Sequence, residues 1–384
     1  MNGGEKRYLL AIGDFFPTEV NYNLFCEGQI EELLDQELIE IFQKAEVRVA
    51  NLEGALTDAD YPIMKDGPAL KAPKQSINMY SKLNMTCLSM ANNHIMDYGY
   101  KGFEDTTELL RRAGIKYSGA GNNLEEAKRP TIFEISDKKV GLYSCAEYEF
   151  TIATEKSAGA NPFDALNILD DIEKLKKEVD YLIVFYHGGK EYYRYPAPYV
   201  QNRCKRMVDK GADLILCQHS HCIGCMEFYG SAVILYGQGD FILNNSDNDY
   251  RSTGLIVKVY IDSWEIDFLP VCKNGRGVRL ATGQEKEEIL KKFFERSDQI
   301  KSEDFVWEEY RKFADEMLPV YEKWISGFLG KILYKLCPSI LKKYSHSINR
   351  CQMINLMRCE AHRDLYINGI VNSLVTNELN NDSI

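Results

Sequence analysis

Thr86-Cys87-Leu88-Ser89-Met90-Ala91-Asn92-Asn93-His94 is an uncharged, strand-like run that breaks into two amides and an imidazole. A strand whose carboxyl end opens into polar, ligand-bearing residues is how α/β proteins build sites. The same form recurs along the chain. Gly13-Asp14 follows Tyr8-Leu9-Leu10-Ala11-Ile12, and Asn51-Leu52-Glu53-Gly54 follows Val47-Arg48-Val49-Ala50. His187-Gly188-Gly189 follows Leu182-Ile183-Val184-Phe185-Tyr186, and Gln218-His219-Ser220-His221 follows Leu214-Ile215-Leu216-Cys217. Nitrogen and carboxylate donors at successive strand exits point to a metal site.

Each donor has a plainer reading beside the metal one. Asp14 offers a hard oxygen ligand, or simply caps a turn. Glu53 is either a solvated loop residue or a buried carboxylate that needs a cation or a network of donors. The Asn93 side-chain oxygen can coordinate a metal, and His94 can orient a phosphoryl oxygen or donate a proton. Asp97 is spaced to fix the His94 tautomer, although Asn and Asp are also common turn residues. His187 leaves the most apolar strand of the chain, and Gly188 and Gly189 let backbone approach a ligand closely. His219 and His221, two apart in extended chain, share one face and can reach a common centre. A structural zinc site built from Cys217, Cys222 and Cys225 with these histidines is the competing reading. Asn92, Glu191 and Arg194 are candidates for touching substrate. Tyr192, Tyr193, Tyr195 and Tyr199 lie where they can line a groove for an extended or sugar-bearing ligand, or pack ordinarily. Neither a phosphate-binding Gly-x-x-x-x-Gly-Lys-Ser/Thr loop nor a Gly-x-Ser-x-Gly nucleophile turn occurs.

The 384 residues, 45% hydrophobic and 27% charged, are ordinary for a globular protein with more than one structural unit. A net charge of -11 argues against nucleic acid as a partner, but bound cations invert the local field, so an anionic substrate stays open. Eleven scattered cysteines and a polar start suggest reduced thiols and a cytoplasmic location. Further strands are expected at Ala232 to Tyr236 and Leu255 to Ile261, and helices over Glu31 to Lys44, Tyr100 to Ala113, Leu166 to Val179 and Pro198 to Lys210. The early strands read as parallel βαβ units. The later ones, joined by Tyr229-Gly230-Ser231 and Asp262-Ser263, read as antiparallel hairpins. The expected division is residues 1–283 as a mixed α/β domain and 284–384 as an all-helical extension. His346 and His362 are expected on the surface of that extension. Its apolar, lysine-bearing stretch from Trp324 to Leu336 is expected to pack on its own core or a partner protein, with membrane contact at most peripheral.

The ordered set of turns resembles the CapA family of bacterial capsule-synthesis proteins, the poly-γ-glutamate type, which share the calcineurin-like metallophosphoesterase fold. The resemblance rests on Gly13-Asp14, Asn51-Leu52-Glu53, Ser89 to His94 with Met96 to Gly99, and Gly119 to Asn123. It continues through His187-Gly188-Gly189-x-Glu191, Gly211 to Ile215, His219-x-His221 and Gly239-Asp240-Phe241, and so covers about residues 7 to 260. It implies a four-layered αββα sandwich with Asp14, Glu53, Asn93, His187, His219 and His221 as ligands to one or two divalent transition metals, Mn, Zn or Fe. It gives His94 the role of general acid or phosphoryl-orienting group. The chain departs from the pattern where Phe15 and Phe16 follow Asp14 in place of Asp-x-His, where Glu53 replaces an Asp, and where Asp240 replaces the usual Asn. The function implied is a metal-dependent hydrolase acting on a phosphate ester or an anionic γ-linked glutamyl polymer. The alternative is a non-catalytic accessory subunit of a polymer-synthesis complex that docks through the helical tail.

Overall fold

The computed structural model describes residues 6–135, 137–243, 248, 250–325, 348–359, 361–363 and 365–370. Two sheets pack face to face. The larger has eight strands, of which β1 (Tyr8–Phe15), β2 (Val47–Asn51), β3 (Cys87–Ser89) and β4 (Lys116–Ser118) are parallel neighbours. Its others are β11 (Asp240–Ile242), β12 (Thr253–Tyr260), β13 (Glu265–Asn274) and β14 (Gly277–Leu280). The order is β14-β13-β12-β1-β2-β3-β4, with β11 pairing in parallel with β1.

The smaller sheet has six strands: β5 (Thr131–Ile135), β6 (Lys138–Ala146), β7 (Tyr181–His187), β8 (Leu214–Gln218), β9 (Met226–Tyr229) and β10 (Ala232–Tyr236). Its order is β9-β10-β8-β7-β6-β5, parallel in the middle and antiparallel at both edges. The hairpins at Tyr229-Gly230-Ser231 and Asp262-Ser263 are antiparallel as expected.

Period-2 alternation along the strands separates three apolar layers. Leu9, Ala11, Val47 and Val49 face Leu142, Ile183, Phe185, Leu214 and Leu216 between the sheets. Leu10, Ile12, Ala50 and Leu88 point the other way, against α1 (Tyr22–Glu27), α3 (Gln36–Lys44), α4 (Ile77–Lys82) and α5 (Gly99–Ala113), through Phe25, Phe42, Met79 and Phe103. On the far side Leu182, Val184 and Ile215 meet Ile172 of α6 (Ile168–Lys176) and Val200 and Met207 of α7 (Pro198–Asp209). Three cores between four layers make the expected αββα sandwich. Each fully buried Leu, Ile or Phe contributes about 1.5–3 kcal/mol of transfer free energy.

The helix expected over Glu31 to Lys44 is broken. A short α2 (Ile30–Leu33) stops at Leu34, and Asp35 starts α3 by accepting the Leu38 N–H at 3.0 Å. Strands β4, β5, β6, β11 and β14 have no counterpart among the expected strands: β4, β11 and β14 are only three or four residues long, Glu134 interrupts β5, and Lys138-Lys139 open β6.

The chain divides into two compact units, Met1–Tyr310 and Arg311–Ile384. In the first, α8 (Gly283–Gln299) buries Phe293 in the inter-sheet core. Its Arg296 donates to the carbonyls of Gly224 and Ile223 at 2.8 and 3.1 Å, and Ser297 Oγ accepts the Met226 N–H at 2.9 Å. Then α9 (Glu303–Ile325), with Pro319 inside it, runs into the second unit, which also holds α10 (Ile348–Arg358). His362 is exposed, as expected. His346 and the part of the apolar stretch from 326 to 336 lie outside the described residues. Among the described residues, no helix is long and apolar enough to cross a membrane.

A close crossing joins β1 to the start of β11, where a Cβ on Gly13 would stand 2.3 Å from the Gly239 carbonyl oxygen. Gly13→Ala is expected to lower unfolding free energy by about 1–3 kcal/mol through overpacking, measured by urea denaturation. A loss of less than about 0.5 kcal/mol would mean that the two strands separate freely.

Candidate metal centre

Every expected ligand sits at the carboxyl end of a parallel strand, and both sheets open toward the same place. Asp14 lies near the end of β1, Glu53 just beyond β2, Asn93 and His94 beyond β3, His187 at the end of β7, and His219 and His221 beyond β8. All are buried.

His187 Nε2 is 3.0 Å from Asn93 Oδ1, 3.2 Å from His219 Nδ1 and 3.7 Å from Glu53 Oε1. His221 Nε2 stands 3.8 Å from the same Glu53 oxygen. Glu53 is 0% exposed, and neither of its oxygens has a hydrogen-bond donor. Separations of 3.7 and 3.8 Å are too long for hydrogen bonds. They are of the size found between donors that share an ion bound at about 2.0–2.2 Å.

The electrostatics agree with that fit. Burial and the neighbouring Asp14 carboxylate push the Glu53 carboxyl well above its usual range. Burial, reinforced by the other histidines, pushes His187 and His219 well below theirs, so both offer neutral lone pairs. His221 goes the other way: burial would lower it, but Asp240 and Glu53 raise it well above the usual histidine value. Glu53, His219 and His221 form one group able to hold a cation, and Asp14, His221 and Asp240 form another. Among the described residues no cysteine joins either group, and burial raises the Cys222 and Cys225 thiols, which speaks against the structural zinc reading.

Local structure departs from one expectation. His219 and His221 are not extended. Both lie past the strand with positive φ, 87° and 51°, so their convergence comes from a strained turn. Tyr192, also left-handed at φ 61°, donates its N–H to the Ser220 carbonyl at 2.8 Å and braces that turn.

Asn92 is directed into the protein. Its amide nitrogen donates to Asn51 Oδ1 and the Leu52 carbonyl at 3.2 and 2.8 Å, and its oxygen accepts the His94 N–H at 3.0 Å. His94 Nδ1 is 2.7 Å from Asp97 Oδ2, which leaves Nε2 as the nitrogen for exchange with a ligand. Arg194 donates to the Ile223 carbonyl at 3.0 Å and lies 4.7 Å over the Tyr250 ring, and Glu191 is half-buried on the turn before Tyr192. Of the four tyrosines, Tyr192 is the one beside the cluster, its ring 6.3 Å from that of His221. Tyr193 and Tyr195 pack against Tyr310 and Phe305, and the Tyr199 hydroxyl lies 3.3 Å from Glu147 Oε2.

Sequence reasoning missed three site residues. Asp240 lies 2.8 Å from His221 Nδ1 and in register with Asp14 across the β1–β11 pair. Its signal was present, since Gly239-Asp240-Phe241 repeats Gly13-Asp14-Phe15. Arg251 donates Nε to the Tyr192 hydroxyl at 3.0 Å and reaches Asp240 at 3.4 Å. Lys65, its side chain 4% exposed, lies 2.6 Å from Asp97 Oδ1 and 3.2 Å from the Asn93 carbonyl. It comes from a stretch without periodicity and left no signal.

The family model "Bacterial capsule synthesis protein PGA_cap" matches residues 8–245. The PGA biosynthesis protein CapA of Bacillus subtilis is 30% identical over 224 residues, covering 56% of this chain and 58% of that protein. The capsule biosynthesis protein CapA of Bacillus anthracis is 29% identical over 193 residues, covering 49% and 47%. The chain thus spans about half the length of the curated relatives it matches. A probable polyglutamine synthesis accessory protein of Mycobacterium tuberculosis is 26% identical over 223 residues, covering 54% and 57%. Among solved structures, a phosphatase of Mycoplasma pneumoniae aligns with TM-score 0.45 and 13% identity, over 70% of this chain and 94% of that one.

Glu53→Gln provides a test that needs no substrate. In chelator-treated protein the amide is expected to raise stability at neutral pH by about 1–3 kcal/mol, since the cost of keeping a buried carboxyl protonated above its ordinary range is removed. The same variant is expected to lose the rise in melting temperature that added Zn or Mn gives the parent. A variant less stable than the parent in chelator would show that protein donors already satisfy Glu53.

Proposed function

Because this chain belongs to the bacterial capsule synthesis protein family PGA_cap, we propose that its buried cluster is a metal-dependent hydrolytic centre of the metallophosphoesterase type, serving the metabolism of an anionic envelope polymer. The observation that carries the proposal is Glu53, a fully buried carboxylate with no donor on either oxygen, faced by two imidazole nitrogens at 3.7 and 3.8 Å. Mixed imidazole, amide and carboxylate donors suit Mn, Zn or Fe. When bound, such an ion supplies positive charge that polarises a substrate oxygen and activates water at neutral pH.

The chain's own residues then divide the work. Glu53, Asn93, His187, His219 and His221 hold the ion, and Asp14 borders them. His94 exchanges a proton with the substrate at Nε2 while Asp97 keeps Nδ1 engaged. Lys190 and Arg251 place positive charge beside the histidines, which favours an anionic substrate. A phosphate ester and a γ-linked glutamyl polymer both meet that requirement. Free thiols such as Cys204 and Cys217, their sulfurs 3.7 Å apart, suit a reducing, cytoplasmic compartment.

A second reading has its own observation. In the second unit, Met353, Ile354, Met357, Leu365, Tyr366, Ile367 and Ile370 are exposed, a composition suited to docking a partner protein in a polymer-synthesis complex.

The deciding assay is hydrolysis of p-nitrophenyl phosphate and its diester by metal-loaded protein. Turnover that depends on Mn or Zn, lowered about 10²- to 10⁴-fold in His94→Ala, is the expected result. Metal-loaded protein inert toward both esters and toward the glutamyl polymer would favour the accessory reading.

A further inference from the structure

The two groups that can hold a cation share His221, but their chemistry differs. At Glu53 neither carboxylate oxygen has a hydrogen-bond donor. Around Asp14 and Asp240 every carboxylate oxygen is already engaged. Asp14 Oδ1 accepts from Asn51 Nδ2 at 2.7 Å, and Asp14 Oδ2 lies 3.3 Å from His221 Nδ1. Asp240 Oδ1 lies 2.8 Å from the same His221 nitrogen. Asp240 Oδ2 faces Arg251 Nη1 at 3.4 Å and Lys273 Nζ at 3.8 Å. The neighbouring positions Phe15 and Phe16 are buried and apolar, so they add no ligand at that end.

We infer that the centre takes a single divalent cation, at the Glu53 end, and that Arg251 and Lys273 supply from the protein the positive charge of a second. This rests on the proposed metal-binding role of the cluster. A second divalent ion beside Asp240 would sit next to the Arg251 guanidinium and the Lys273 amine in a buried site, where like-charge repulsion is weakly screened. Asp240 is accordingly a positioning residue. It accepts the Nδ1 proton of His221, fixes the tautomer, and leaves Nε2, the nitrogen nearer Glu53, as the metal donor. Arg251 also donates to the Tyr192 hydroxyl, so the internal cation is tied to the residue that braces the histidine turn.

The test is metal stoichiometry on the full chain. Chelator-treated protein is titrated with Mn, bound metal is counted by elemental analysis after dialysis, and the electron paramagnetic resonance spectrum is recorded at saturation. One equivalent per chain with an isolated six-line Mn signal is expected. Two equivalents, or an exchange-coupled dinuclear signal, would overturn the inference while leaving the hydrolase reading intact. No bound metal would remove the reading on which it rests. Asp240→Asn separates positioning from ligation. It is expected to keep one equivalent with Mn affinity lowered about 10- to 100-fold, whereas affinity equal to that of the parent would show that Asp240 does not position His221.

Discussion

The parallel pairing of β1 with β11 is the constraint on which the rest of the molecule depends. The two strands approach so closely at Gly13 and Gly239 that no side chain fits between them. That contact brings Asp14 and Asp240 side by side, on the same edge of β1 that β12 lines further back and opposite the edge taken by β2. It also places the carboxyl end of β1 next to the exits of β7 and β8 from the other sheet. Two acidic residues brought together in a dry interior repel each other, and the protein answers with His221, Arg251, Lys273 and Asn51. The sandwich is built around that compensation.

Stability and chemistry pull in opposite directions at this point. Three apolar layers supply the folding free energy, and their alternation is regular through every central strand. The sheet ends that meet at the cluster carry the opposite character: buried imidazoles, an unpaired carboxylate, and three non-glycine residues in left-handed backbone. Local disagreement of this kind, set in an otherwise consistent structure, is expected where a protein keeps a functional site.

Much of this was visible in the sequence. The runs at β1, β7 and β8 stand out because uninterrupted apolar residues are what a strand buried on both faces requires, and the polar residues at their ends marked the cluster. The break at Asp35 was hidden, because a single capping carboxylate outweighs a helical pattern that continues on both sides. Strand β6 was hidden by its opening Lys138-Lys139 and by Gly141, which lies against Val179. The turn geometry of His219 and His221 could not be read, since residue spacing does not report the sign of φ. Lys65 is the plainest case. Its role depends on where a loop without periodicity comes to rest, and that is decided by Asp97 and Leu70, whose N–H donates to Asp97 Oδ2 at 2.7 Å.

The bonds from α8 to the turn after His221 give the chain an order of assembly. Arg296 and Ser297 secure residues 223, 224 and 226 across separations of 71 to 73 positions. During synthesis the histidines therefore leave the ribosome well before the helix that anchors their turn. Until α8 docks and Phe293 enters the inter-sheet core, that turn lacks its backing. The turn that carries His219 and His221 is then secured only once α8 has been made, and a nascent chain carries these imidazoles on an unbacked turn for that interval.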